Sequence, residues 1–87
     1  MENTQTIGGM MTQITELLTE VEIELETAQR KFSNFASPHE GYAVILEELD
    51  ELWELIKRNH GRADDAHQEA IQIAAMAMRY IIDLNDE

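Results

Sequence analysis

Residues 37–61 read SPHEGYAVILEELDELWELIKRNHG, and how this stretch is read decides the fold. Ser37 is followed by Pro38 and, three residues on, by Glu40. That order predicts a capping box with proline at the first helical position, so a helix starts here. Tyr42, Ile45, Leu49, Leu52 and Ile56 recur in steps of three and four and form the expected buried seam. The helix is predicted to stop at Asn59-His60-Gly61, with Gly61 in the left-handed conformation that ends helices.

The same period extends outward in both directions. Upstream, Met11, Ile14, Leu18, Val21, Leu25, Ala28 and Phe32 line one face of a helix of about six turns. Downstream, a third helix is expected from Asp64 or Asp65 to about Leu84, with a seam of Ala66, Ala70, Ile73, Ala77, Tyr80 and Leu84. No β-alternation or internal repeat interrupts the pattern, so the class is all-α. Residues 1–9, polar and glycine-rich, are expected to be frayed, leaving residues 10–87 as one helical domain. The third helix carries a second apolar line, Ile71, Ala75, Met78 and Ile82. A helix apolar on two sides is buried on both. Three helices offer little to cover that second side, so a homodimer completing a four-helix or larger bundle is expected.

Composition narrows the function. At 87 residues the core is small and no cysteine is present to staple it, so an ion or another copy of the chain is a natural source of extra stability. The lack of cysteine and of a signal-like apolar start predicts a cytoplasmic protein. Ile73 to Met78, the longest apolar run, is far shorter than the roughly 20 residues of a membrane span. A net charge of −12 opposes binding to duplex nucleic acid. An anionic substrate could still bind through divalent cations.

The acids of the second helix divide into two sets. With Leu49 at the centre of the seam, Glu47, Asp50 and Glu54 fall on the far, solvated side, whereas Glu48 and Glu51 interleave with Val44 and Leu55 on a flanking stripe. If the second and third helices form an antiparallel hairpin turning at His60, positions summing to 120 lie level, because both helices rise equally per residue. Glu51 then opposes Glu69, and Glu48 opposes Gln72. Carboxylates about 5 Å apart repel by roughly 3 kcal/mol per pair at an effective dielectric of 20. A proton, a cation or a metal must offset that. An all-oxygen set suits Mg²⁺ or Mn²⁺. His39, His60 and His67 lack the spacing of a zinc site.

Glu47-Glu48-Leu49-Asp50-Glu51 matches an EExxE motif, and Glu69-Ala70-Ile71-Gln72 is close to ExxD. On these two motifs, and over about residues 35–84, the chain resembles the MazG-like all-α nucleoside triphosphate pyrophosphohydrolases. The resemblance implies hydrolysis of an NTP or dNTP to the monophosphate and pyrophosphate with Mg²⁺, or possible substitution by Mn²⁺. It implies Glu48, Glu51 and Glu69 as metal ligands with Gln72 beside them, and Glu47 with Glu48 as the catalytic pair, Glu47 being an outer-shell group or base. Gln72 departs from the motif's aspartate and offers a neutral carbonyl to the metal, which implies weaker metal binding and gives the alternative, a weak or inactive relative that acts as a nucleotide binder or a structural oligomer. The resemblance also implies assembly as a homodimer or tetramer. Lys31, Lys57, Arg58 and Arg79 are the cations available to phosphate. Trp53, at the seam's edge, is read as core or interface, with stacking on a base as the alternative.

Overall fold

The computed structural model describes residues 2–85, with side chains from Thr12 onward. Three helices make up the chain: α1, Glu2–Lys31; α2, Pro38–Lys57; and α3, Asp64–Asp83. The all-α class is therefore found. The backbone of residues 2–9 continues α1, and the side chains of that segment, together with Met11 of the expected seam, lie outside the described residues. No described helix is long and apolar enough to cross a membrane.

Local chemistry explains the boundaries. Ser37 caps α2 and accepts a hydrogen bond from the Glu40 N–H at 3.1 Å. The Glu40 carboxylate reaches back to the Ala36 N–H, one residue earlier than a reciprocal box requires. At the other end the left-handed residue is Asn59 (φ 64°), and no glycine has positive φ among the described residues. The expectation for Gly61 is thus corrected. Asn59 N–H donates to the Ile56 carbonyl at 3.0 Å and His60 N–H to the Leu55 carbonyl at 2.8 Å, the two bonds of a Schellman motif. Asparagine adopts this conformation more readily than other residues with a Cβ, so the turn forms two residues before the glycine.

α3 is the central helix. It packs on both α1 and α2, which do not pack on each other among the described residues. The core joins Val21, Leu25 and Ala28 of α1, Phe35 of the connection, and Ile71, Ala75 and Met76 of α3, with Val44, Ile45, Tyr80 and Leu84 packed against it. Two seams are therefore corrected. On α1, Ile14 and Leu18 are exposed, because the N-terminal part of a 30-residue helix overhangs a partner of 20; Phe32, just past the end of α1, is exposed at the mouth of the α1–α2 connection, 5.8 Å from the Arg79 guanidinium. On α2, Tyr42, Leu49 and Ile56 are exposed. Its inward side is Gly41, Val44, Ile45, Glu48, Leu52 and Leu55, and only Ile45 and Leu52 belong to both sets.

Gly41 accounts for that rotation. A Cβ there would lie 2.5 Å from Tyr80 Cδ2 and 3.2 Å from Phe35 Cδ2, so the missing side chain is what lets α2 sit on the Tyr80 ring. Gly41→Ala is expected to lose about 1–3 kcal/mol to overpacking, more than the roughly 0.5–1 kcal/mol that alanine adds to a helix. Urea titration would show the net loss, and a variant as stable as the parent would mean that the ring swings aside freely. The expected seam of α3 is half right: Ala66 is buried and Ile73, Tyr80 and Leu84 half-buried, but Ala70 and Ala77 are exposed. Its second apolar side needs no other copy at Ile71 and Ala75, which α1 covers; Met78 and Ile82 stay exposed.

Candidate metal and phosphate site

Because α1 and α2 flank α3 without touching, a groove of about 600 Å³ opens between them. Gln72, Met76 and Arg79 form its floor, Glu24, Thr27 and Lys31 one wall, and Val44, Glu47 and Glu48 the other. Phe32 and Phe35 close one end. Glu51 and Glu69 line a shallower hollow next to it, of about 400 Å³.

The carboxyls of Glu48, Glu51 and Glu69 meet across the α2–α3 contact, each offering an oxygen within 4.8 Å of the others. Glu48 and Glu69 are half-buried, and Glu51 is exposed. Burial, the largest cause, pushes the Glu48 carboxyl above its ordinary range. The charges of Glu51, Glu47 and Glu24 add to this, while a hydrogen bond with Glu69 opposes it. Glu69 is raised first by burial and then by its hydrogen bond with Glu48. Glu51 is raised by its hydrogen bond with Glu69 and by that residue's charge. All three shifts have the sign of groups that repel one another when ionised.

The donor set suits a hard divalent cation. Glu69 Oε1 is buried with no hydrogen-bond partner among the described residues, an acceptor that a cation would satisfy. Three oxygens on one octahedral Mg²⁺ include at least two neighbouring pairs only about 2.9 Å apart, so these carboxyls, now within 4.8 Å of one another, would draw together around it. Gln72 takes a different part. With its NH₂ turned to Glu48, it donates to both carboxylate oxygens, at 3.1 and 3.3 Å. In this orientation Gln72 steadies Glu48, and its carbonyl reaches the cluster only after half a turn of the amide.

The other expected residues divide by place. Glu47 stands exposed on the groove wall beside Glu48, and Lys31 stands exposed on the wall opposite. Lys57 pairs with Glu54 at 2.8 Å and lies 5.9 Å from the centre of the exposed Trp53 ring. Neither Lys57 nor Trp53 is part of the groove. Arg58 lines the hollow beside Glu51. Arg79 lies on the groove floor, but its guanidinium is committed. Nε is 3.3 Å from Asp83, Nη2 donates to the Ser33 carbonyl, and the plane stacks 4.1 Å from the Phe35 ring centre.

Glu24, Phe32 and Phe35 were not anticipated in this site. Glu20, Glu24, Thr27 and Lys31 share one stripe of α1 at spacings of four, three and four, and that polar line beside the Val21–Ala28 seam is the available signal. Glu20 and Glu24 bind α3 through His67, at 2.9 Å, and Gln68, at 3.4 Å. No family model matches the chain, and no curated protein or solved structure matches it.

Proposed function

We propose that this chain is a Mg²⁺-dependent nucleoside triphosphate pyrophosphohydrolase, acting in the cytoplasm as a homodimer or tetramer in which α2 and α3 form an antiparallel hairpin. The observation that carries this reading is the convergence of Glu48, Glu51 and Glu69 beside an open groove, with an unpartnered buried oxygen on Glu69. Pairing of Gly41 with Tyr80 and Glu48 with Gln72 across α2 and α3 supports the hairpin.

Glu48, Glu51 and Glu69 would hold the cation, which neutralises phosphate charge and makes water more acidic; Mn²⁺ would fit the same oxygens. Glu47, exposed next to Glu48, takes the proton of the water that attacks the α-phosphorus, and pyrophosphate leaves. Lys31 meets the outer phosphates from the α1 wall. Phe32, exposed at the end of the groove, offers apolar surface to the nucleoside, a part that Trp53, outside the groove, does not fill.

A second reading is a catalytically weak or inactive relative that binds nucleotide or serves as a structural oligomer. Two observations favour it: Gln72 adds no charge to the cluster, and Arg79 is spent within the fold. Pyrophosphate release from each NTP and dNTP with Mg²⁺ or Mn²⁺ separates the two. The enzyme reading expects turnover that Glu51→Ala lowers by about 100-fold or more, as expected when an interaction worth roughly 2.7 kcal/mol is lost from the transition state. Undiminished turnover in that variant would sink the metal mechanism. Gln72→Asp is expected to tighten Mg²⁺ binding in a calorimetric titration, and an unchanged isotherm would place Gln72 outside the ligand set.

A further inference from the structure

α2 and α3 share a second face, on the side away from the groove, that nothing among the described residues covers. On α2, Tyr42, Leu46, Leu49, Trp53 and Ile56 follow one another by four, three, four and three residues, and all are exposed, Tyr42 by 65% and Trp53 by 54%. At 100° per residue they lie within an arc of about 80°. On α3, the exposed Ala70, Ala77 and Ile81 fall on the same side, opposite Gln72. Isolated exposed leucines are ordinary, but a continuous stripe of this kind is not.

We propose that this α2–α3 face pairs with the same face of a second copy, so that the two grooves open outward on opposite sides of the dimer. The inference rests on the homo-oligomer reading above, and not on the nucleotide chemistry.

Area, charge and register point to a second copy. Taking about 150–250 Å² for each fully exposed large side chain, the exposed fractions of the five α2 residues and Ile81 leave roughly 500–800 Å² of largely apolar surface per copy, comparable with the ~800 Å² per partner of a standard interface. The chain carries −12, and two copies repel one another unless the surfaces that meet are free of carboxylates. Five of the six acids of α2 lie about 120° or more from the centre of the stripe, and the sixth, Asp50, about 80° from it. A basic partner would find nothing there to select it.

The stripe also complements itself. Antiparallel pairing of two α2 helices about a two-fold axis at Leu49 sets Tyr42 against Ile56, large beside medium, and opposes the two helix dipoles. Parallel pairing would stack Trp53 on Trp53 and align the dipoles.

The absence of cysteine makes single-cysteine cross-linking clean. The parent chain is expected to sediment at twice its 10.0 kDa mass. On dilution the dimer would dissociate and the emission of Trp53, the only tryptophan, would shift to the red. Leu49→Cys at the axis should oxidise to a covalent dimer, whereas Lys31→Cys in the groove should not. Leu49→Glu should give a monomer with unchanged helical circular dichroism, since Leu49 is exposed within one chain. A parent that runs as a monomer at every concentration overturns both this proposal and the oligomer reading. A parent dimer that persists in Leu49→Glu, or that cross-links through position 31 and not 49, overturns this face alone.

Discussion

Asp83→Ala is expected to remove about 3–5 kcal/mol of stability, a large part of the roughly 5–15 kcal/mol that holds a small domain together. The side chains of Arg79 and Asp83 are 6% and 2% exposed. Asp83 Oδ2 accepts the Phe35 N–H at 2.9 Å and stands 3.3 Å from Arg79 Nε as its counter-charge. An aspartate in the last turn of a helix opposes the helix dipole, and its place at the end of α3 is explained by what it holds: Arg79, and through it and Phe35 the connection between α1 and α2. Truncation leaves a buried guanidinium without its counter-charge and a backbone N–H without an acceptor. Asp83→Asn keeps an acceptor for Phe35 and should cost less, about 1–3 kcal/mol. Equilibrium urea unfolding measures both. A loss below about 1 kcal/mol for Asp83→Ala would show that water replaces the carboxylate. Since Phe32 and Phe35 close the end of the groove, the same variant should also weaken any ligand held there.

In the absence of divalent cations the protein should be more stable at mildly acidic pH than at neutrality, and millimolar Mg²⁺ should cancel the difference. Glu48, Glu51 and Glu69 all have carboxyls raised in the fold. The stability that such a group contributes is complete below its unfolded pKa, about 4.3 for glutamate, and is lost as the pH rises through the folded value. Melting temperature in chelator should therefore fall from about pH 4.5 toward 7. Glu48 and Glu69 supply most of the slope, because solvent screens the exposed Glu51. At 100 times its dissociation constant a cation adds about 2.7 kcal/mol, or roughly 10–20 °C for a chain of this size. Glu48→Gln should flatten the slope and remove most of the response to Mg²⁺. If Mg²⁺ raises the melting temperature no more than sodium chloride of equal ionic strength, screening alone is at work and no site forms.

The pairing of the two motifs was legible from level positions on neighbouring helices: Glu48 does meet Gln72, and Glu51 does meet Glu69. That arithmetic needs only the rise per residue, which is the same in every α-helix. The wall supplied by α1 was not legible. Glu24, Phe32 and Phe35 reach the site only because α1 lies along α3 and leaves α2 untouched, and no local pattern states which of two helices a third will choose. Arg79 shows the same limit: as a letter it is a free cation, and only the fold of the connection shows it spent on Ser33 and Asp83.

By itself the sequence determined the three helices, the Ser37–Pro38 start of α2 and the two-sided character of α3, because capping groups, proline and the 3.6-residue period act within a few residues of one another. Tertiary structure alone decided which side of α2 turns inward. Apolar residues spread over more than half of that helix, so its period allows both a seam through Leu49 and one through Gly41 and Leu55. The choice falls to the Tyr80 ring of α3, which fits only where α2 has no side chain. That rotation carries Glu48 to the inner face and leaves Tyr42, Leu49 and Trp53 outside.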